Sequence, residues 1–274
     1  MRENRIKNKL DNGEVLIGMG SFSGSQTLVE MMGIAGFDFV FIDTEHTPMF
    51  MNRELQNMII TANSVGMGTI ARVKIKDDWM IRTCFEFGAD GVVFPHCRCK
   101  ADVEEAVSYS KFYPMGIRGS ATDCRSAGYG VYPDFSFPEY VRRSNKETLV
   151  IPLAEDPEFY DNIDEILSVP GIGAVSIGPS DLALSLGILE TYNMNIPEVK
   201  DRLELLFAKC KEANIPVMSP IAPPTAEKAM ELADKGCRLL ICRNDVSHFG
   251  NILKQYQNTV YKPFKEYWNS KTDK

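Results

Sequence analysis

Phe39-Val40-Phe41-Ile42-Asp43-Thr44-Glu45-His46 sets four apolar residues directly before a cluster of three ionisable ones. A continuous apolar run this short reads as a strand buried on both faces, because a strand covered on one face alternates apolar with polar residues. Its polar end is then the strand's C-terminal end. Parallel α/β proteins build their sites along that edge.

Similar runs recur along the chain at the roughly 30-residue rhythm of βα units. Strands are expected at Val15–Gly18, Phe37–Asp43, Gly68–Val73, Gly91–Pro95, Leu149–Leu153, Ala174–Gly178, Ile215–Ser219 and Arg238–Arg243. Amphipathic stretches lie between them, at Ser25–Ile34, Arg53–Ser64, Lys100–Tyr109, Tyr160–Leu167, Val199–Ala213 and Thr225–Lys235, each able to cover a sheet face. This alternation in 274 residues favours an α/β fold of the (β/α)8 (TIM) barrel type over an open doubly wound sheet. No composition shift marks an internal boundary, so 1–274 is expected to be one barrel domain with a helical tail from about residue 260. Tyr113–Tyr140, rich in Gly, Ser, Pro and aromatic residues, reads as a long loop that lids or lines a site. The tail carries Tyr261, Phe264, Tyr267 and Trp268, which suit docking on a neighbouring subunit or on the chain's own barrel.

Composition narrows the function. The chain is 44% hydrophobic and 24% charged, enough to bury a full-sized core. A formal net charge of -7 argues against nucleic acid or anionic lipid as a partner. The N-terminus is basic and polar, and no stretch approaches the ~18 apolar residues of a membrane span. The seven cysteines are scattered, which fits reduced thiols in the cytoplasm. His96-Cys97-Arg98-Cys99 lacks the paired C-x2-C spacing of structural zinc sites and reads as a strand end with ordinary thiols. No Walker-type sequence is present, and Gly18, Gly20 and Gly24 miss the dinucleotide-binding spacing by one position.

The C-terminal ends of the expected strands carry Asp43, Glu45 and His46, then Arg72, Pro95-His96, Glu155 and Gly178-Pro179-Ser180-Asp181. A barrel brings these onto one rim. Glu155 and Asp181 are hard oxygen donors able to hold Mg2+ or Mn2+, although either also suits a helix start. Arg72, between Ile70 and Val73, needs an anion, which a substrate carboxylate or enolate or the side chain of Glu45 would provide. His46 lies beside two carboxylates and is suited to proton transfer near neutrality, with Asp43 placed to orient it; a plain surface histidine is the alternative. The backbone N–H groups of Ser180 and Asp181 at a helix start can receive a carboxylate, or serve only as a cap.

Taken together, Ile42-Asp43-Thr44-Glu45-His46, Ala71-Arg72-Val73, Phe87-Gly88-Ala89-Asp90-Gly91, Val93-Phe94-Pro95, Gly116-Ile117-Arg118-Gly119, Ala154-Glu155 and Ile177-Gly178-Pro179-Ser180-Asp181-Leu182 are specific in order and spacing. The chain resembles the metal-dependent pyruvate aldolases of the HpcH/HpaI aldolase/citrate lyase family. The resemblance implies a phosphoenolpyruvate/pyruvate-type barrel in which Glu155 and Asp181 bind Mg2+, Mn2+ or Co2+, the ion holding a 2-oxo acid. It also implies that Gly178, Pro179 and Ser180 bind substrate, that Arg72 stabilises an enolate, and that His46 with Asp43 moves the 4-hydroxyl proton. A homohexamer with exchanged C-terminal helices is the implied assembly. Two departures stand out: Leu153 replaces a glutamine common in the family, and Glu86 replaces an aspartate that commonly partners the catalytic histidine.

The expected reaction is cleavage of a 4-hydroxy-2-oxo acid to pyruvate and an aldehyde. Citrate synthase-like or citrate lyase-like enolate chemistry, and a non-catalytic barrel that binds a 2-oxo acid, are the alternatives. A Schiff-base aldolase needs a rim lysine, and the nearest candidates, Lys74 and Lys76, lie beyond Arg72.

Overall fold

The run that ends at Asp43 is a strand buried at every position, and its two faces have different neighbours. Phe39 and Phe41 point into a cluster with Ile70, Val93, Ile151, Leu153, Met218 and Leu239, the interior of a barrel. Val40 and Ile42 point the other way, into a larger cluster with Met58, Ile59, Val92, Val103 and Leu206 that joins sheet to helices. This two-residue alternation is why the strand carries no polar residue before its end.

The computed structural model describes residues 3–49, 52–74, 77–190 and 193–272, so Lys76 lies outside the described residues. In chain order come α1 (Arg5–Asp11), β1 (Leu16–Ser21), α2 (Gln26–Ile34), β2 (Phe39–Asp43), α3 (Arg53–Ser64), β3 (Gly68–Arg72), α4 (Asp78–Glu86), β4 (Gly91–Phe94) and α5 (Lys100–Ser110). A 3-10 turn at Arg125–Gly130 leads to α6 (Phe137–Glu147), β5 (Leu149–Ala154), α7 (Pro157–Asp161), α8 (Ile163–Leu167), β6 (Val175–Ile177) and α9 (Pro179–Ser185). Then follow α10 (Pro197–Glu212), β7 (Val217–Pro220), α11 (Ala226–Asp234), β8 (Cys237–Asn244), α12 (Asp245–Tyr256) and α13 (Lys262–Thr272). The strands close in sequence order into a parallel barrel, β8 pairing with β1. This is the expected (β/α)8 architecture.

The barrel floor is sealed by α1, whose Ile6 is fully buried against the interior strands. Asn4 caps that helix, accepting from the Lys7 N–H at 2.8 Å, and its amide donates to the Asp90 carbonyl at 2.7 Å. The buried Asp90 carboxylate in turn accepts the Thr69 N–H at 2.7 Å, linking β3 to the turn before β4. Asp90→Ala is expected to cost about 1–3 kcal/mol by leaving that N–H unpaired. A urea midpoint unchanged from wild type contradicts this.

Several elements differ from expectation. The loop expected over Tyr113–Tyr140 gives way to α6 at Phe137, because Pro138 falls in the first turn of that helix, where its missing N–H leaves no bond unmade. Tyr140 then packs edge-on against Phe112, ring centroids 5.6 Å apart, and pins the loop's end to the body. The single helix expected over Tyr160–Leu167 is broken at Asn162, where φ is −107° and ψ 16°. α1, α4 and α12 lie outside the stretches named above as helical. The chain from Asn251 to Thr272 is exposed throughout, including Phe264, Tyr267 and Trp268.

Candidate active site

The β2 and β3 ends meet in register, Asp43 opposite Arg72, and the two side chains pair directly: Arg72 Nε donates to Asp43 Oδ1 at 2.8 Å. Asp43 is completely buried, so this pair neutralises a charge that water cannot reach. The same carboxylate accepts the N–H groups of Glu45 at 3.0 Å and His46 at 3.3 Å, which folds the chain into a tight turn on the rim. Thr47 and Thr44 hydroxyls complete the turn by donating to the Asp43 and Arg72 carbonyls, each at 2.6 Å.

That turn aims Glu45 back over Arg72. Its Oε2 lies 3.1 Å from Arg72 Nη1 and 3.5 Å from His46 Nε2. Burial pushes the Glu45 carboxyl up, against the pull of Arg72. Burial also opposes the Arg72 charge, but the hydrogen bond and charge of Asp43 outweigh it and hold the guanidinium firmly protonated. The group beside the His46 imidazole is therefore Glu45, while Asp43 positions His46 through its backbone. His46 itself is largely exposed at the rim.

Glu155 follows the last residue of β5 and is almost fully buried. Its Oε1 accepts the His96 N–H at 2.8 Å, and its Oε2 faces Gly178. A Cβ at Gly178 would stand 2.6 Å from the Glu155 Cβ, so only glycine lets α9 begin this close to β5. Asp181 lies in the first turn of α9, and its charge adds to burial in pushing the Glu155 carboxyl up to about 7. Ser180, between them, has a buried Oγ with no hydrogen-bond partner.

These groups wall a cavity of about 220 Å³ at the C-terminal mouth of the barrel. Arg72, Glu155, Gly178, Pro179, Ser180 and Asp181 all line it, over a floor that includes Phe41, Val93 and Leu153. Opposite stand Arg243 and Asn244 at the end of β8, a contribution the sequence reading did not include. No lysine lines the cavity among the described residues. A buried carboxylate with a second acid and an unpartnered hydroxyl in the same cavity wall fits a hard divalent cation with an oxygen-rich ligand.

Glu86 does not join this group. It closes α4 at the end of the barrel away from the rim, 3.9 Å from Arg82 and in the field of the buried Arg118. Within one chain Glu86 makes no contact with His46, whose carboxylate neighbour is Glu45.

The pattern of the HpcH/HpaI aldolase/citrate lyase family matches residues 17–240. A 5-keto-4-deoxy-D-glucarate aldolase of Salmonella paratyphi A is 27% identical over 259 residues, covering 94% of this chain and 97% of that protein. A crystal structure of an HpcH/HpaI aldolase/citrate lyase family protein from Burkholderia cenocepacia superimposes with a TM-score of 0.83 at 27% identity, over 94% of this chain and all (100%) of that one. The citrate synthase SbnG shares the fold, with a TM-score of 0.83 at 24% identity over 96% of this chain and 100% of its own. On the match that spans most of its length, the chain belongs to the HpcH/HpaI aldolase/citrate lyase family.

Proposed function

We propose that this carbon–carbon lyase of the aldolase type cleaves a 4-hydroxy-2-oxo acid to pyruvate and an aldehyde, and runs the addition in reverse, with a divalent ion held by Glu155 and Asp181. The observation that carries the reading is Arg72, locked between Asp43 and Glu45 and lining the cavity that Glu155 and Asp181 also line. When bound, the ion (Mg2+, Mn2+ or Co2+) supplies Lewis acidity to a 2-oxo acid. Arg72 donates to the oxygen that gains charge as the C3–C4 bond breaks, and its two carboxylate partners keep it from moving when that charge develops. His46 accepts the 4-hydroxyl proton as the aldehyde carbonyl forms, and Glu45 steadies the resulting imidazolium. A proton returned to C3 completes pyruvate. The apolar floor of Phe41, Val93 and Leu153 keeps water from the carbanion face.

Ser180 is assigned to the substrate carboxylate, which its Oγ would satisfy. Ser180→Ala is expected to raise KM about tenfold with little change in kcat, the loss of about one hydrogen bond. The ion-free variant is expected to be no less stable than wild type, because a buried hydroxyl without a partner is removed. A lower urea midpoint with unchanged KM contradicts the assignment.

The enolate half-reaction gives a direct test. Pyruvate in D2O with enzyme and Mn2+ is expected to exchange its C3 protons, followed by NMR, and to stop exchanging after chelation. No exchange in wild type favours the non-catalytic binding barrel. Exchange with no cleavage of any 4-hydroxy-2-oxo acid favours a citrate synthase-like electrophile. Borohydride trapping of pyruvate on the protein would revive the Schiff-base alternative.

The exposed aromatic residues of α13 support a homohexamer with exchanged C-terminal helices. Seven free cysteines, with no disulfide among them, support a cytoplasmic setting. Among the described residues, no helix is long and apolar enough to cross a membrane.

A further inference from the structure

His96-Cys97-Arg98-Cys99 is left unused by the aldol chemistry, and its thiols have structural work: Cys97 is buried and contacts the Phe94 carbonyl, while Cys99 precedes α5 as its N-cap. The imidazole is different. His96 follows β4 and Glu155-Asp156 follow β5, and the strands pair in register with Phe94 opposite Pro152, so the three side chains meet across neighbouring strand ends. His96 Nδ1 lies 3.0 Å from Asp156 Oδ2 and 3.4 Å from Glu155 Oε1, and one ligand atom from each residue falls within 4.8 Å of the other two.

We propose that His96, Glu155 and Asp156 form a second, peripheral metal site that takes a divalent transition ion, zinc above all, and shares Glu155 with the cavity site. The spacing is the first argument. Donors about 2.0–2.1 Å from a tetrahedral zinc stand about 3.3–3.4 Å from one another. The His96–Glu155 separation of 3.4 Å matches, and the 3.0 Å contact with Asp156 is a hydrogen bond whose place the ion would take. The three ligand atoms, within 4.8 Å of one another, need only small side-chain rotations to close on it. The donor set is the second, since one imidazole with two carboxylates suits zinc or cobalt better than magnesium.

The surroundings complete the case. Both carboxylates are buried, so their charge is poorly screened, while more than half of the His96 side chain is exposed and leaves a path for the ion and room for water ligands. Arg98 Nη2 binds the far oxygen of Asp156, Oδ1, at 3.0 Å, which orients Oδ2 toward the imidazole as an outer partner orients a metal ligand. The two oxygens of Glu155 face different ways: Oε1 toward His96 and Oε2 toward Gly178 at the cavity wall. Neither His96 nor Asp156 lines that cavity, so the two sites are distinct and meet only at Glu155.

The probe is Co2+, titrated into the ion-free full chain and followed by calorimetry and visible absorption. Wild type is expected to bind two equivalents. His96→Asn, which keeps a residue tolerant of the positive φ of 52° found here, is expected to bind one, the other weakened at least about 100-fold. Asp181→Asn is expected to keep the equivalent that His96→Asn loses. His96→Gln serves as a second replacement if far-ultraviolet dichroism shows that the asparagine variant is misfolded. A titration in which the folded histidine variants bind as many equivalents as wild type, or in which Asp181→Asn binds none, overturns the proposal. The count of two rests on the ion proposed at Glu155 and Asp181: if that ion is absent, wild type binds one equivalent, which His96→Asn loses and Asp181→Asn keeps, so failure of the aldolase reading and failure of this one give different titrations.

Discussion

Glu155→Gln is expected to reduce ion-dependent kcat/KM for pyruvate release by about 10³-fold or more, and also to stabilise the ion-free protein above pH 7. The first effect is the loss of a charged ion ligand, which removes about 4 kcal/mol or more of transition-state stabilisation. The second follows from the raised carboxyl. Burial pushes Glu155 from its ordinary 4.5 to about 7, so ionising it within the fold is unfavourable. The folded chain then holds a proton that the unfolded chain has released, and stability falls as pH rises from about 4.5 to about 7. The glutamine variant lacks this fall. Urea midpoints of the ion-free proteins at pH 5 and pH 8 are expected to show the variant gaining on wild type at the higher pH. Equal gaps at both values would remove the basis for treating Glu155 as a charge waiting for a cation. Ion affinity in wild type is expected to weaken as pH falls below about 7, because the ion then competes with that proton.

Arg72→Lys carries the second large effect. The guanidinium makes two fixed contacts, Nε to Asp43 at 2.8 Å and Nη1 to Glu45 at 3.1 Å, a fork that an ammonium cannot reproduce. The lysine variant is expected to fold and to lose about 10²–10³-fold in kcat, the magnitude of removing a fixed oxyanion donor. Arg72→Ala is expected to lose stability as well, by about 3–5 kcal/mol, because it leaves the buried Asp43 without a counter-charge. Steady-state kinetics and thermal unfolding separate the two outcomes. A lysine variant with wild-type kcat would reduce Arg72 to a structural ion pair with Asp43 and Glu45.

Most of the barrel was legible because a parallel sheet buried on both faces has to be written in unbroken apolar runs, and those runs survive any loop. Where the pattern failed, packing had overruled composition. Phe137 and Pro138 look like loop residues until Pro138 is seen in a first helical turn and Tyr140 against Phe112. On the rim, Asp43, Arg72, Glu155 and Asp181 stand where the ends of the apolar runs placed them. Which of the two carboxylates beside His46 lies nearest its imidazole was not legible, since the distance from Glu45 to the ring depends on a turn that Asp43 builds through backbone N–H groups. Arg243 and Asn244 were passed over although β8 was expected to end at Arg243; the structure carries the strand one residue further, to Asn244. Leu153, which departs from the family pattern, turns out to be cavity floor.

The central claim is ion-dependent cleavage at the Glu155–Asp181 end of the cavity. Its most direct test is pyruvate release from a panel of 4-hydroxy-2-oxo acids by the wild-type chain, with Mn2+ or Mg2+ and again after chelation. Release of pyruvate and aldehyde in equal amounts that stops on chelation is the predicted result. Release that continues undiminished without the ion, or none from any acid while pyruvate still binds, contradicts it.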